Sequence, residues 1–150
     1  ERRPGGLVFS GMVNPQPLLD APVAVVVHFA TVVPAFLLGT WLLFFSTKGS
    51  PYHRLAGKTY LTLMAVTAFA ALFIRSFAGW SVTVGPLKLG LIHLFILLTY
   101  QGIWRTLTAI KAGDLRGHQA SMRGMYFGAL IVAGLLAFAP GRIMHRMFFG

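Results

Sequence analysis

Apolar and polar residues in this chain separate into long blocks and do not alternate with a short period. The longest block is uncharged from Ala21 to Thr47, and three shorter uncharged runs lie between Lys58 and Arg75, between Lys88 and Arg105, and between Arg123 and Arg142. About 20 apolar helical residues cross the hydrocarbon core of a bilayer. The first block exceeds that length, and the other three reach it once the flanking Lys and Arg snorkel towards the headgroups. The blocks predict four helices, at about 21–46, 52–77, 87–112 and 118–138. Pro22 falls in the first turn of the first helix, where its missing N–H is not needed, and Pro34 predicts a kink. Ser46 to Pro51 and Gly113 to Gly117 read as turns that pair the helices into two hairpins, joined by a connection from Ala78 to Pro86 that carries Trp80, an interfacial residue type. Ala65, Ala68, Ala70 and Ala71 offer one small-residue face, and Gly124 and Gly128 predict a second close helix contact.

The expected architecture is therefore an all-α integral membrane protein, a four-helix transmembrane bundle over 21–141. An extramembrane N-terminal segment (1–20) precedes it, and an interfacial tail (142–150) carries Arg142, His145 and Arg146 among Met and Phe. The Gly- and Pro-rich start at Glu1 predicts that a leader or a further helix precedes it.

Composition sharpens this picture. The chain is 56% hydrophobic and only 11% charged, against about 25% charged in ordinary soluble domains. The net charge of +10 would suggest nucleic acid in a soluble protein. Here the Lys and Arg gather where helices meet the interface, so membrane lipid with anionic headgroups is the expected partner and nucleic acid is not. Lys48, Arg54, Lys58, Arg105, Lys111, Arg116 and Arg123 lie on the side of the two hairpin turns, one more than on the other side, which predicts cytoplasmic turns in a bacterial inner membrane. With no cysteine, thiolate ligands and disulfides are excluded. Glu1, Asp20 and Asp114 all fall outside the predicted spans, which argues against an ion-coupled transporter, and general acid–base work would fall to histidine.

Four of the five histidines are spread one to a helix: His28, His53, His93 and His118. His28 and His93 stand 65 positions apart, as do His53 and His118, and the same offset brings Lys58 to Arg123. The spacing suggests two related hairpins with an approximate two-fold along the membrane normal. A histidine in or beside lipid is costly unless something uses it. Haem b needs two neutral imidazoles at one depth, an apolar slot and basic groups for its propionates. His28 and His93 fall at matching depth on the terminal side and are the first candidate pair of axial ligands. His53 and His118 open their helices on the turn side, where Arg54, Lys58, Arg116 and Arg123 could meet propionates; as a second pair they compete with a simpler role as helix caps or lipid-phosphate ligands. About 27 Å of helix separates the two levels, so two haems would carry electrons across the bilayer. Gln101 and Tyr100 could hydrogen-bond a quinone or a neighbouring helix. Met64, Met122 and Met125 read as packing residues, and Arg75 and Arg105 as snorkelling anchors.

The segments His53-Arg54-Leu55-Ala56-Gly57-Lys58-Thr59-Tyr60, His118-Gln119-Ala120-Ser121-Met122-Arg123-Gly124-Met125-Tyr126 and Pro140-Gly141-Arg142 resemble a bacterial membrane family, domain of unknown function 2306, over roughly residues 28–146. The resemblance implies the architecture and carries no reaction. More distantly, a histidine on each of four helices is similar in style to the cytochrome b561 class of dihaem membrane proteins, from which this chain departs in having fewer helices and two histidines at helix ends. The leading expectation is a small membrane protein that binds b-type haem and passes electrons between partners such as quinones and cytochromes. The alternatives are a non-catalytic accessory subunit of a larger bioenergetic complex, binding lipid or quinone, and a lipid- or quinone-binding enzyme that uses histidine.

Overall fold

The computed structural model describes residues 14–74, 81–84, 87–140 and 142–149. Among the described residues the elements are helical apart from one short β-hairpin. After a single turn, α1 (Gln16–Leu19), come α2 (Val23–Phe44) and α3 (Pro51–Ala71), then strands β1 (Ser81–Val84) and β2 (Leu87–Gly90), then α4 (Leu91–Lys111). The last long helix is composite, running from α5 (Leu115–Gly124) through a π-helical segment (Met125–Val132) into α6 (Ala133–Ala137), and α7 (Ile143–Phe149) closes the described chain. Two of these helices are long and apolar enough to cross a membrane: Val23–Phe44 and the composite Leu115–Ala137.

The helix limits follow from local chemistry. Pro22 stands at the cap of α2, which runs on through Pro34. The Ser50 side chain caps α3 by accepting the His53 N–H, and Asp114 caps α5 by accepting the Gly117 N–H. The composite helix thus begins at Leu115, three residues before the predicted His118. The third helix begins at Leu91, not at 87, because Leu87–Gly90 pairs antiparallel with Ser81–Val84 in the register Ser81 to Gly90 and Val84 to Leu87. Backbone groups spent on that ladder cannot also open a helix. The second helix ends at Ala71, short of 77; Arg75 and Trp80 lie outside the described residues. The tail predicted as interfacial is helical over Ile143–Phe149.

Each long helix packs on its neighbour in sequence, α2 on α3, α3 on α4, α4 on α5 and the π segment, and the π segment closes back on α2. α2 and α4 are therefore diagonal to one another, as are α3 and the composite helix. The main core joins Ala35 and Leu42 of α2, Tyr60 and Met64 of α3, and Met125, Tyr126, Ala129 and Leu130 of the π segment. A second cluster packs Ala68 and Ala71 of α3 on Ile96 of α4. The alanine face of α3 is thus a packing face. The glycines at the tight contact are not the predicted ones: a Cβ at Gly124 or Gly128 would meet nothing within 4 Å, whereas one at Gly39 would lie 2.8 Å from Tyr60 Cε2 and 2.9 Å from Tyr126 Cδ2.

Candidate functional site

The turn-side ends of α3 and α5 bring two imidazoles together. Ser46, buried at the end of α2, donates its hydroxyl hydrogen to the Leu42 carbonyl at 2.8 Å, so towards His53 Nδ1, also 2.8 Å away, it can only accept. That assigns the proton of His53 to Nδ1 and leaves a lone pair on Nε2, the tautomer metal-bound histidines adopt when a second group holds the other nitrogen. The Lys48 ammonium folds over the same helix end and donates to the carbonyls of Leu42, Leu43 and Ser46, satisfying acceptors that the helix leaves open. Across from His53 stands the ring of His118, centroids 6.5 Å apart and planes at 84°. Its Nδ1 is buried and has no hydrogen-bond partner.

This spacing has a chemical meaning. Two imidazoles whose nitrogens lie about 2 Å either side of one metal ion have ring centroids about 6 Å apart. One turn beyond His53, on the same face of α3, a Cβ on Gly57 would meet no atom within 4 Å. Gly124, exposed and six residues past His118, lies on a different face of its helix. Arg54, Lys58 and Arg123 are all exposed, and the Arg54 guanidinium lies over the turn, donating from Nε to the Gly49 carbonyl at 3.1 Å. Among the described residues no group of three or more His, Asp or Glu could hold a metal ion, so a metal here would depend on two imidazoles and on ligands it brings with it.

The terminal-side pair is differently committed. His28 Nδ1 lies 3.0 Å from the Thr67 carbonyl of α3, an acceptor only, so His28 donates and keeps a lone pair on Nε2. His93 Nδ1 accepts the Gly90 N–H at 3.1 Å, which puts the proton of the neutral ring on Nε2. His93 would have to give up that helix-start contact, or change tautomer, to ligate through Nε2. Sequence spacing makes His28 and His93 the first pair; the structure brings the rings of His53 and His118 to 6.5 Å of one another.

Tyr100 donates its hydroxyl to the Ala65 carbonyl at 3.2 Å and so serves the neighbouring helix, while Gln101 is exposed on the outer face of α4. Met64 and Met125 are core residues. Ser46 reads in the sequence as part of a turn, and it lies two residues past the end of α2; its bond to His53 comes from that hydroxyl meeting a histidine in the first turn of the next helix. Also unmarked in the sequence is a polar chain in the core: Thr40 donates to the Phe36 carbonyl at 2.7 Å and so accepts from the Tyr126 hydroxyl at 2.7 Å, beside a fully buried Tyr60 whose own hydroxyl has no partner.

The family described as "Predicted membrane protein (DUF2306)" matches residues 25–148. The chain belongs to this family. The matched span of DUF2306 takes in both hairpins and all four candidate histidines. No curated protein matches the chain, and no solved structure does. The likeness in style to cytochrome b561 finds no support in these comparisons. Membership fixes a helical membrane protein, consistent with the two apolar spanning helices, and leaves the chemistry to the site itself.

Proposed function

We propose that this protein is a small electron-transfer subunit of a bacterial inner membrane. In this reading all four long helices cross the bilayer as two hairpins related by an approximate two-fold, with the turns in the cytoplasm. His53 and His118 would hold haem b on the turn side, with Arg54, Lys58 and Arg123 available to its propionates. Bound there, haem would supply a one-electron couple. The chain's own residues orient His53 through Ser46, present the second imidazole from the diagonal helix, and surround the site with positive charge. Quinones, with Gln101 on the outer face of α4, or other membrane subunits, are the redox partners this reading calls for. The observation that carries it is the approach of two imidazoles to 6.5 Å, one with its Nδ1 held by a buried serine and the other with an orphaned buried nitrogen.

The test is a reduced-minus-oxidised visible spectrum of the detergent-purified protein after titration with haemin. Sharp α and Soret bands at one haem per chain are expected, lost in His53→Ala and in His118→Ala and retained in His93→Ala. A folded protein that takes up no haemin overturns the proposal and leaves the histidines as helix caps in a lipid- or subunit-binding scaffold.

A further inference from the structure

At the end of the molecule away from the hairpin turns, α1 and α7 pack together, tied by the Asn14 N–H donating to the Met147 carbonyl at 2.9 Å. Between them opens a crevice of about 420 Å³, within the range of small-ligand sites. Two charges of opposite sign line it, the Asp20 carboxylate where the chain enters α2 and the Arg146 guanidinium of α7. Both residues are exposed, and among the described residues neither side chain has a hydrogen bond or an ion pair. Asp114, the other described acid, is occupied in capping α5, so among the described residues Asp20 is the uncommitted carboxylate of a strongly basic chain. Leu19 and Val23, each next in sequence to a lining residue, and Phe149, three residues after Arg146, expose 68%, 77% and 72% of their surface, which puts apolar side chains near a charged slot where a spanning helix begins.

We infer that this crevice binds the phosphate–ammonium zwitterion of a phosphatidylethanolamine headgroup, the ammonium donating to Asp20 and the phosphate accepting from Arg146, with the acyl chains against the apolar rim. A purely anionic headgroup would meet Arg146 but be repelled by Asp20, and a simple cation would meet the reverse. A headgroup carrying both charges satisfies both side chains, and a primary ammonium offers the hydrogens that a choline lacks. The apolar rim favours the lipid over the free headgroup. The assignment is independent of haem binding and rests on the membrane location alone.

Native mass spectrometry of the delipidated full chain in detergent tests it, with phosphatidylethanolamine, phosphatidylcholine and phosphatidylglycerol of matched acyl chains, and with soluble glycerophosphoethanolamine. Phosphatidylethanolamine is expected to bind about tenfold tighter than the other two lipids, the worth of one charge-assisted hydrogen bond. Asp20→Asn should bring its affinity to the phosphatidylcholine level without weakening phosphatidylglycerol, and Arg146→Gln should weaken all three. Both substitutions fall on exposed side chains, and unchanged circular dichroism and elution volume would confirm that the fold is kept. Equal binding of the ethanolamine and choline lipids, tightest binding of phosphatidylglycerol, or no effect of Asp20→Asn overturns the zwitterion site. Glycerophosphoethanolamine binding as tightly as the lipid overturns the assignment to a membrane source.

Discussion

Gly39 shows how much one missing atom decides. It sits where α2 approaches two tyrosine rings, and the Cβ of an alanine would stand 2.8 Å from one and 2.9 Å from the other. Neither ring can step aside easily: Tyr60 is fully buried, and Tyr126 is held through its hydroxyl by Thr40. Gly39→Ala should therefore destabilise the protein by about 1–3 kcal/mol, the usual cost of overpacking a core. Gly128→Ala, placed in open space, should be neutral or gain up to about 1 kcal/mol from helix propensity. Thermal unfolding of the two variants in one detergent measures the contrast, and equal melting temperatures would refute it. The tyrosines allow a second comparison. The Tyr60 hydroxyl is buried without a partner, so Tyr60→Phe removes a desolvated group that gains nothing and should not lower stability. Tyr126→Phe removes the hydrogen bond that the tyrosine donates to Thr40 and should cost about 1 kcal/mol. A Tyr60→Phe protein less stable than Tyr126→Phe would mean that the Tyr60 hydroxyl has a partner after all.

The two hairpin turns were legible in the sequence because their chemistry is local. Each carries a glycine in the left-handed region, Gly49 at φ 79° and Gly113 at φ 71°, followed at once by the capping residue, Ser50 or Asp114. The turns repeat at 64 positions while the histidines repeat at 65, so His53 is the third residue after its cap and His118 the fourth. Sequence spacing alone thus hides about 100° of helix rotation between the partners, and only the packing of the helices brings the rings to 6.5 Å. Replacing the caps with Ser50→Ala and Asp114→Ala should cost about 1 kcal/mol each. The first should also free the start of α3 and loosen His53 from Ser46, which hydrogen exchange at the His53 amide would report; unchanged protection there would contradict the cap. Other elements were not legible. The hairpin at Ser81–Val84 and Leu87–Gly90 stands beside long apolar helices, and four residues a side are too few for a period of two to show against them. The π segment lies in a run so uniformly apolar that neither its widened turn nor its buried face, Met125, Tyr126, Ala129 and Leu130, is marked in the sequence.

At the scale of the molecule, the apolar blocks named the long helices because burial in lipid demands length and greasiness from every spanning segment, whatever its neighbours are. They could not name which histidines face inward, since a helix apolar on all sides has no moment to orient it, and Ser46 and Thr67, which settle the His53 and His28 tautomers, lie on other elements, in the turn after α2 and on α3. The arrangement of two hairpins makes a topological demand that can be checked directly, because the chain has no cysteine and every introduced thiol is a unique reporter. Thr47 and Ala112 are exposed at the two hairpin turns, and Gln16 and Phe149 are exposed at the opposite end, on α1 and α7. With both hairpins crossing in the same sense, Thr47→Cys and Ala112→Cys should react with a membrane-impermeant maleimide from one face of the membrane, the cytoplasmic face if the excess of Lys and Arg at the turns sets the orientation. Gln16→Cys and Phe149→Cys should react only from the other. Labelling of intact spheroplasts against inverted vesicles distinguishes the faces. If Thr47→Cys and Ala112→Cys were reached from opposite faces, α3 and α4 could not both span, and His53 and His118 would lose the common depth on which a shared ligand depends.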